Sequence, residues 1–296
     1  MPRLRLLVAA ILAALLLVPA GAAAQDAQAV RYVVVLSFDG LRADALRAAM
    51  PAALLERAAF TWEAKTTLPS VTLPSHTSMF TGVPPSVHQM LANDWRRPPW
   101  SSQGYVKLPT AFSVVTEAGG RSAMFVTKSK LLYLARPGTV ARAEFLVYPR
   151  YDQTAAVREG MRYLASVQPN LLFIHVADPD DVGHRDGWMS ESYLEVVRKA
   201  PATIRLVLDT LARMGALERS LVIVTADHGG HGRAHGSDRP EDVTIPWLAF
   251  GAVEPGPIGG PVMIYDTAAT AVSALGYAIP TSWLGKPVIK TVSRRQ

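Results

Sequence analysis

The chain has 296 residues, of which 49% are hydrophobic and 18% charged, and its formal net charge is +6. This composition is that of a globular protein with a sizeable core, and it excludes intrinsically disordered and fibrous proteins. The sequence has no cysteine, which excludes disulfides, thiolate metal sites and cysteine nucleophiles.

The first 24 residues have the pattern of a secretory signal peptide. Two arginines precede an apolar run from Leu6 to Val18, and small residues follow up to Ala24. This order predicts cleavage after Ala24 and export to the periplasm or the medium. The alternative is an uncleaved anchor, because the apolar stretch is nearly long enough to span a bilayer. The small residues favour cleavage, which leaves a mature chain of residues 25–296 without a stable membrane anchor.

The charge of the mature chain argues against nucleic acid as a partner. Cleavage removes two arginines and no acid, which leaves 28 basic and 24 acidic residues and a net charge of +4. The basic residues are scattered, whereas nucleic-acid-binding proteins cluster them in a patch. A mild positive charge suits a small anionic substrate instead.

Predicted strands and helices alternate along the mature chain. This alternation predicts a single α/β domain at residues 25–296, with a mostly parallel central sheet and helices on both faces. The predicted elements are, in chain order, a strand at 30–38, a helix at 41–59 broken at Pro51, a strand at 121–127, a helix at 153–167, a strand at 170–176, a helix at 191–215 broken at Pro201, strands at 221–225 and 244–250, and a helix at 266–275.

Three of the predicted strands lead into aspartates, namely Asp39, Asp178 and Asp227. A single aspartate at a strand end is usually a turn residue. In open α/β sheets, however, ligands bind beyond the carboxyl ends of the strands, where these side chains would converge. The three aspartates together therefore indicate a functional site at that edge.

Four of the seven histidines fall between positions 184 and 235, close to further acids. A lone histidine is usually structural, but these form pairs at metal-ligand spacing or lie in a glycine-rich loop. Carboxylate and imidazole ligands without thiolate suit a catalytic zinc site, or manganese. The candidate ligands are Asp180, His184, Asp227, His228, His231 and His235.

The segment at residues 69–82 is rich in hydroxyl groups and is predicted to open a short helix. Ser70, Thr72 and Ser75 are N-cap candidates on the simplest interpretation. On the functional interpretation one of them is a nucleophile, because a helix N-terminus favours an anion. Coordination to a metal ion would lower the pKa of such a hydroxyl group, as it does for water.

Four short blocks of sequence carry a resemblance to a known family. They are FDGLR at 38–42, TLPSH at 72–76 with Thr81-Gly82, PDDVGH at 179–184, and ADHG at 226–229. Together, and in this order, they resemble the alkaline phosphatase superfamily, and within it the type I phosphodiesterase / nucleotide pyrophosphatase branch. The resemblance implies an alkaline-phosphatase-like fold and a hydrolase of phosphodiester or nucleotide pyrophosphate bonds.

The resemblance also implies roles for individual residues. Thr72 is expected to be the nucleophile that becomes phosphorylated, and Asn93 to donate to a phosphoryl oxygen of a small phosphate-ester substrate. His235 is favoured over His231 as the last metal ligand, because the sequence after it resembles short bacterial members. The implied ligands of two zinc ions are Asp39, Thr72, Asp227 and His228 for one, and Asp180, His184 and His235 for the other.

Some features leave the substrate open. The family motif usually has asparagine where this chain has Ser75, and the chain is much shorter than the animal enzymes, which puts nucleotide specificity in doubt. No arginine lies beside Thr72, and this favours monoanionic diesters. Lys128 and Lys130 follow a predicted strand and could reach a phosphate, although such lysines are more often solvated. The alternatives are a phosphomonoesterase or phosphonate hydrolase, and a non-catalytic protein that binds a metal or an anion.

Overall fold

The protein is described by a computed structural model, which covers residues 30–96, 104–147 and 152–292. The predicted signal peptide at residues 1–24 lies outside the described residues. Eight strands form one sheet. They are β1 Tyr32–Phe38, β2 Ala59–Lys65, β3 Ser122–Val126, β4 Arg142–Phe145, β5 Leu171–Val176, β6 Ser220–Ala226, β7 Thr244–Gly251 and β8 Gly256–Pro257.

The sheet has the strand order β4-β3-β5-β1-β6-β7-β2-β8. The five strands from β4 to β6 in that order run parallel to one another. β7 runs antiparallel to both of its neighbours, β6 and β2. The predicted fold class is therefore confirmed, as a mostly parallel sheet with one reversed strand.

Helices cover both faces of this sheet. None of the helices in the described part of the chain is long and apolar enough to cross a bilayer. The helices are α1 Ala43–Ala49, α2 Ala52–Leu55, α3 Thr72–Thr81, α4 Pro85–His88, α5 Ala111–Glu117, α6 Gln153–Val167, α7 Asp178–Asp186, α8 Glu191–Val197, α9 Ala200–Arg213, α10 Pro240–Val243 and α11 Asp266–Ala274, with 3₁₀ turns at Ser129–Leu134 and Leu217–Arg219.

Burial explains which strands the sequence revealed. Every residue of β1, β5 and β6 is buried, because these central strands are covered on both faces. Their sequences are therefore continuous apolar runs, which are easily recognised. β2 is only partly buried and contains polar residues, and the sequence predicted no strand there.

The two helices that were predicted to be broken are each a pair of shorter helices. The stretch at 41–59 forms α1 and α2, and Ala59 already belongs to β2. The stretch at 191–215 forms α8 and α9, and Pro201 lies in the first turn of α9. Proline is tolerated there because the first helical N–H groups have no partner within the helix.

Candidate two-metal site

Four neighbouring parallel strands deliver polar side chains to one edge of the sheet. Asp39 directly follows β1 and Asp227 directly follows β6. β5 leads into α7, whose first turn contains Asp180. Lys128 follows β3 by two residues. Because β3, β5, β1 and β6 are adjacent and parallel, their carboxyl ends bring these four side chains together.

Asp39, Asp227 and His228 form a first cluster, here called the buried group. Each offers a ligand atom within 4.8 Å of those of the other two, and all three residues are fully buried. The Nε2 atom of His228 lies 3.3 Å from Asp39 Oδ1 and 3.3 Å from Asp227 Oδ2. The three atoms thus face one point in the interior.

Asp180, His184 and His235 form a second cluster, here called the outer group, whose ligand atoms also lie within 4.8 Å of one another. Asp180 Oδ1 lies 3.5 Å from Nε2 of His184 and 3.7 Å from Nε2 of His235. The same oxygen is 4.0 Å from His228 Nε2, so the two groups are adjacent. The side chain of His184 is 47% exposed, and this group therefore opens toward solvent.

All three histidines in these groups present the same nitrogen to the cluster. In each, Nδ1 bonds to a backbone carbonyl, which can only accept, so Nδ1 carries the proton and the lone pair lies on Nε2. The Nε2 atoms of His184 and His235 are 3.1 Å apart, and a cation would relieve the contact between their lone pairs. The carbonyl partners are Gly229 for His228 at 2.7 Å, Arg233 for His184 at 3.1 Å, and Ser70 for His235 at 2.9 Å.

Several ligand atoms are buried without a hydrogen-bond partner among the described residues. A buried polar atom in this state is costly unless something satisfies it. The atoms are Asp39 Oδ1, Asp180 Oδ1, Asp227 Oδ2 and His228 Nε2, which are the same atoms that face one another in the two groups. Their oxygen and nitrogen chemistry fits two divalent cations such as zinc or manganese.

The electrostatics of the buried group also favour cations. Burial, followed by the charge of Asp39, raises the pKa of Asp227 to about 8. Burial acts to lower the pKa of His228, but the charges of Asp227 and Asp39 raise it to about 9. The carboxylates of the buried group thus favour positive charge beside them, and a divalent ion would supply it.

Thr72 begins α3 and is buried. The backbone carbonyl of Ser70, two residues earlier, accepts the hydrogen bond from His235 of the outer group. The carbonyl of Thr72 accepts from Nδ1 of His76 at 2.8 Å, and that nitrogen lies 3.4 Å from Asp227 Oδ2 of the buried group. The backbone around the nucleophile candidate is thus connected to the outer group directly and to the buried group through His76, which acts as a structural donor.

Asn93 lies next to Thr72, as the sequence prediction requires. Its Oδ1 atom accepts the backbone N–H of Leu73 at 2.8 Å, at the N-terminus of α3. This bond fixes the orientation of the amide group and assigns the donor function to Nδ2. A donor beside the candidate nucleophile suits an oxygen of a bound phosphoryl group.

Lys128 is not the solvated lysine that was the simpler interpretation. Its side chain is only 15% exposed, and Nζ lies 2.7 Å from Asp39 Oδ2 and 2.5 Å from Asp180 Oδ2. The ammonium group therefore connects one carboxylate of the buried group with one of the outer group. Burial acts to lower the pKa of Lys128, but the two carboxylates overcome this effect and raise it, so the group is charged.

His231 lies outside both groups, and His235 is the histidine that joins Asp180 and His184. Nδ1 of His231 donates to Oδ1 of the buried Asp242 at 2.7 Å. The other carboxylate oxygen of Asp242 accepts from Ser237 through its backbone N–H and its hydroxyl group. Asp242 therefore holds the ends of the loop that carries His235. Nothing in the spacing along the chain indicated this role.

Asp178 was expected to converge with Asp39 and Asp227, but it starts α7 instead and belongs to neither group. Asp180, one turn before His184 on the same helix, takes this place. The prediction erred because the chain enters α7 directly after β5, so the strand end itself does not point at the site. The spacing of four residues between Asp180 and His184 was the better signal, since such positions share one face of a helix.

Two residues that support the site were not singled out by sequence reasoning. His175 of β5 is buried, and its Nε2 lies 3.0 Å from Asp39 Oδ2. Trp188 packs so tightly that a Cβ atom on Gly183 or Gly230 would lie 2.6 or 2.3 Å from its ring. Its indole N–H donates to the carbonyl of Gly40 at 2.8 Å. Trp188 thus connects the three segments that carry the ligands.

Comparison with known families gives a match that covers most of the described chain. The model of the family "Type I phosphodiesterase / nucleotide pyrophosphatase" matches residues 33–232. Ectonucleotide pyrophosphatase/phosphodiesterase family member 1 of Mus musculus is 23% identical over 217 residues, which are 66% of this chain and 24% of that protein. GPI ethanolamine phosphate transferase 1 of Saccharomyces cerevisiae is 29% identical over 124 residues, 40% of this chain and 14% of that protein. The chain thus aligns with about a quarter or less of these relatives.

Solved structures share the fold over nearly their full length. An inactive variant of murine ectonucleotide pyrophosphatase / phosphodiesterase 5, in complex with AMP, superposes with a TM-score of 0.71 at 15% identity, covering 84% of this chain and 96% of that one. Wild-type alkaline phosphatase PafA gives a TM-score of 0.71 at 13% identity, covering 87% and 98%. At these identities the likeness concerns the fold.

Proposed function

Because this chain belongs to the type I phosphodiesterase / nucleotide pyrophosphatase family, we propose that it hydrolyses phosphodiester or nucleotide pyrophosphate bonds. The proposal assigns two zinc ions to the buried and outer groups and the role of nucleophile to Thr72. Manganese suits the same ligands. The predicted signal peptide supports action in the periplasm or outside the cell.

One observation carries this proposal. Four buried ligand atoms without hydrogen-bond partners among the described residues converge from two adjacent groups. The backbone at the N-terminus of α3 bonds to His235 of the outer group and to His76, whose ring lies 3.4 Å from Asp227 of the buried group. If this site bound nothing, these buried polar atoms would be expected to have hydrogen-bond partners within the protein. A non-catalytic metal-binding protein would have no need for a buried hydroxyl group and an oriented amide donor beside its ions.

The arrangement suits hydrolysis in two displacements. Asp39, Asp227 and His228 would hold one divalent ion and Asp180, His184 and His235 the other. Such ions would lower the pKa of a bound hydroxyl group and stabilise negative charge on the attacking and leaving oxygens. Thr72 Oγ1 loses its proton and attacks phosphorus, the bond to the leaving oxygen breaks, and a phosphothreonine forms. Water then attacks the phosphorus from the side opposite Thr72, the bond between phosphorus and Oγ1 breaks, and a proton from the water returns to Oγ1. The Nδ2 group of Asn93 donates to a phosphoryl oxygen during both steps.

A phosphomonoesterase is the second candidate, and a specific observation favours it. Lys128 places a positive charge between the two groups, and a dianionic monoester gains more from that charge than a monoanionic diester does. A solved structure with a similar fold is in complex with AMP, and this supports a nucleotide as part of the substrate. The chain aligns with only about a quarter of the mammalian relative, so its own substrate has to be measured.

The proposal is tested with purified residues 25–296 loaded with zinc and with bis-p-nitrophenyl phosphate as substrate. Thr72→Ala is expected to lower kcat by about 1,000-fold or more, since loss of a nucleophile removes the covalent step. Circular dichroism and zinc content should stay close to the wild type, at about two ions per chain. Thr81→Ala, at the other end of α3, is the matched control and should retain activity, because the hydroxyl group of Thr81 donates to the carbonyl of Thr77 within the helix.

Two results would contradict the proposal. Substantial turnover by Thr72→Ala would exclude Thr72 as the nucleophile. A zinc content of one ion or none in the active wild-type protein would exclude the assignment of two ions.

A further inference from the structure

His175 is a fully buried histidine beside the site that belongs to neither group of ligands. It lies in β5, next to β1 in the sheet. Its Nε2 atom is 3.0 Å from Asp39 Oδ2, and its Nδ1 atom is 2.9 Å from Oγ1 of Thr127. Both ring nitrogens therefore already have a side chain as partner, and the question is what this pair of contacts does for the site.

The partners of His175 decide which of its nitrogens carries the proton. Oδ2 of Asp39 also contacts the ammonium group of Lys128 at 2.7 Å, and an ammonium group can only donate. This oxygen is therefore an acceptor, and Nε2 of His175 must donate to it. In a neutral ring Nδ1 then has the lone pair and accepts from the hydroxyl group of Thr127.

This arrangement is the reverse of that in the three histidines of the two groups. Those rings donate from Nδ1 to a backbone carbonyl, which leaves the lone pair of Nε2 for an ion. His175 has a hydroxyl group in place of that carbonyl, and a hydroxyl group can donate to Nδ1. The partner of Nδ1 thus separates a histidine that suits an ion from one that orients a carboxylate.

The two oxygens of Asp39 have different surroundings as a result. Oδ2 accepts from His175 and Lys128. Oδ1 has no hydrogen-bond partner among the described residues and lies 3.3 Å from Nε2 of His228. Lys128 ends a long side chain that is 15% exposed, whereas the ring of His175 is fully buried on a central strand. His175 is therefore the partner that can fix the rotation of the carboxylate.

Thr127 in turn fixes the ring of His175. It directly follows β3, which pairs with β5, so its hydroxyl group approaches the ring from a neighbouring strand. The same hydroxyl group lies 3.3 Å from the carbonyl of His175, which is a longer contact than that to Nδ1. A chain of hydrogen bonds thus runs from Thr127 through His175 to Asp39 and connects the adjacent strands β3, β5 and β1.

We propose that Thr127 and His175 are positioning residues that hold Oδ1 of Asp39 toward the ion of the buried group. They act through Asp39 and supply no ligand themselves. Both residues lie outside the four blocks of sequence that resemble the family. This inference rests on the proposed function, since it assigns a purpose to residues around the same two-metal site.

Substitutions that remove or keep single hydrogen bonds test the inference in zinc-loaded protein. Competitive zinc titration should show that the affinity of the tighter ion falls about 10-fold in Thr127→Val and about 10- to 100-fold in His175→Met. Thr127→Ser and His175→Gln keep a donor and should recover most of this affinity. Thr116→Val is the matched control and should bind zinc as the wild type does, because the hydroxyl group of Thr116 donates to the Thr139 carbonyl at 2.9 Å, outside both groups.

Two further measurements separate positioning from a merely structural role. Thr127→Val should weaken zinc binding no further in the His175→Met background, because the hydroxyl group acts only through that ring. Nitrogen NMR of the histidine rings in the zinc-loaded wild type should show the proton of His175 on Nε2. The three ligand histidines should carry theirs on Nδ1.

The outcomes separate this inference from the proposed function. Wild-type zinc affinity in Thr127→Val, failure of Thr127→Ser to recover affinity, additive effects in the double variant, or a proton on Nδ1 alone of His175 would each overturn the inference, while the proposed function would stand. If the zinc-loaded wild type does not cleave bis-p-nitrophenyl phosphate, the proposed function fails. Zinc titration and NMR do not depend on turnover and then still decide whether His175 orients Asp39.

Discussion

The buried group and the outer group use the same kinds of ligand in very different surroundings. Asp39, Asp227 and His228 are all fully buried, whereas in the outer group only Asp180 is buried and His184 is largely exposed. The difference follows from where the ligands lie in the fold. The buried group comes directly from the ends of two central strands, and the outer group comes from a surface helix and a loop.

This difference indicates that the two groups have different roles within one site. Ligands on rigid, buried strand ends are held in place by packing, so an ion there should bind tightly and exchange slowly. Ligands on a helix and a loop near solvent can admit and release substrate, leaving group and water. The outer ion should therefore be the more exchangeable one.

Removal of one ligand from each group should have unequal effects, and among the tests of this comparison it should change activity the most. Asp227→Asn takes a charge from the buried group, where nothing else can replace it. Zinc content should fall to about one ion per chain and kcat by more than 100-fold, since even residues that only support ligands contribute about 10- to 100-fold to metal affinity. His184→Asn should lose activity that added zinc partly restores, because the outer group is open to solvent.

The control for these two variants is Asp238→Asn. Asp238 lies in the loop that carries His235, but it belongs to neither group. This variant should retain both ions and full activity. If added zinc rescues Asp227→Asn as readily as His184→Asn, burial does not distinguish the two groups and the comparison fails.

Removal of the metal by a chelator should proceed in two phases. The expected effect is smaller than that of losing a ligand of the buried group. During incubation of the zinc-loaded protein with EDTA, the outer ion should leave first, because His184 is exposed to the chelator. The buried ion should leave more slowly, since its release requires local opening of the site. The measurement is the zinc content and activity of samples taken over time. A single phase in which both ions leave together would contradict this order.

Trp188→Phe should have the smallest effect, and this effect should concern mainly the outer group. The substitution keeps an aromatic ring against Gly183 and Gly230 but removes the donor to the Gly40 carbonyl. That carbonyl also accepts from Tyr193, so the free energy of unfolding should fall by only about 1 kcal/mol, the worth of one hydrogen bond. Zinc affinity of the outer ion should fall about 10-fold.

Urea unfolding and competitive zinc titration check this prediction. Trp62→Phe, which changes a mostly buried tryptophan of β2 outside both groups, is the matched control and should leave zinc affinity unchanged. Equal loss of affinity for both ions in Trp188→Phe would show that the ring supports the whole site and not the outer group.

The sequence predicted the parts of the site whose signals are local. β1, β5 and β6 are continuous apolar runs, and Asp39 and Asp227 follow two of them directly. Asp180 and His184 are four residues apart on one helix, and the structure places both in the outer group. Such patterns survive in the sequence because backbone geometry links residues that are close along the chain.

Other features depend on contacts between distant segments. From the sequence, Lys128 could not be distinguished from a lysine exposed to solvent. It lies between two carboxylates because β3 is a neighbour of β5, and this pairing exists only in the folded sheet. The pairing of His231 with Asp242, which leaves His235 to the outer group, depends on how a loop folds onto α10. The reversed direction of β7 likewise leaves no trace in a strand that is mostly apolar.

The sequence by itself thus determined the fold class, the strand ends and which residue types could hold ions and a nucleophile. Tertiary structure alone decided which ligands are buried, which histidine completes the outer group and where Lys128 places its charge. The physical reason is that hydrophobic patterns and turn residues act over a few positions, whereas burial and electrostatic fields depend on every segment that packs nearby.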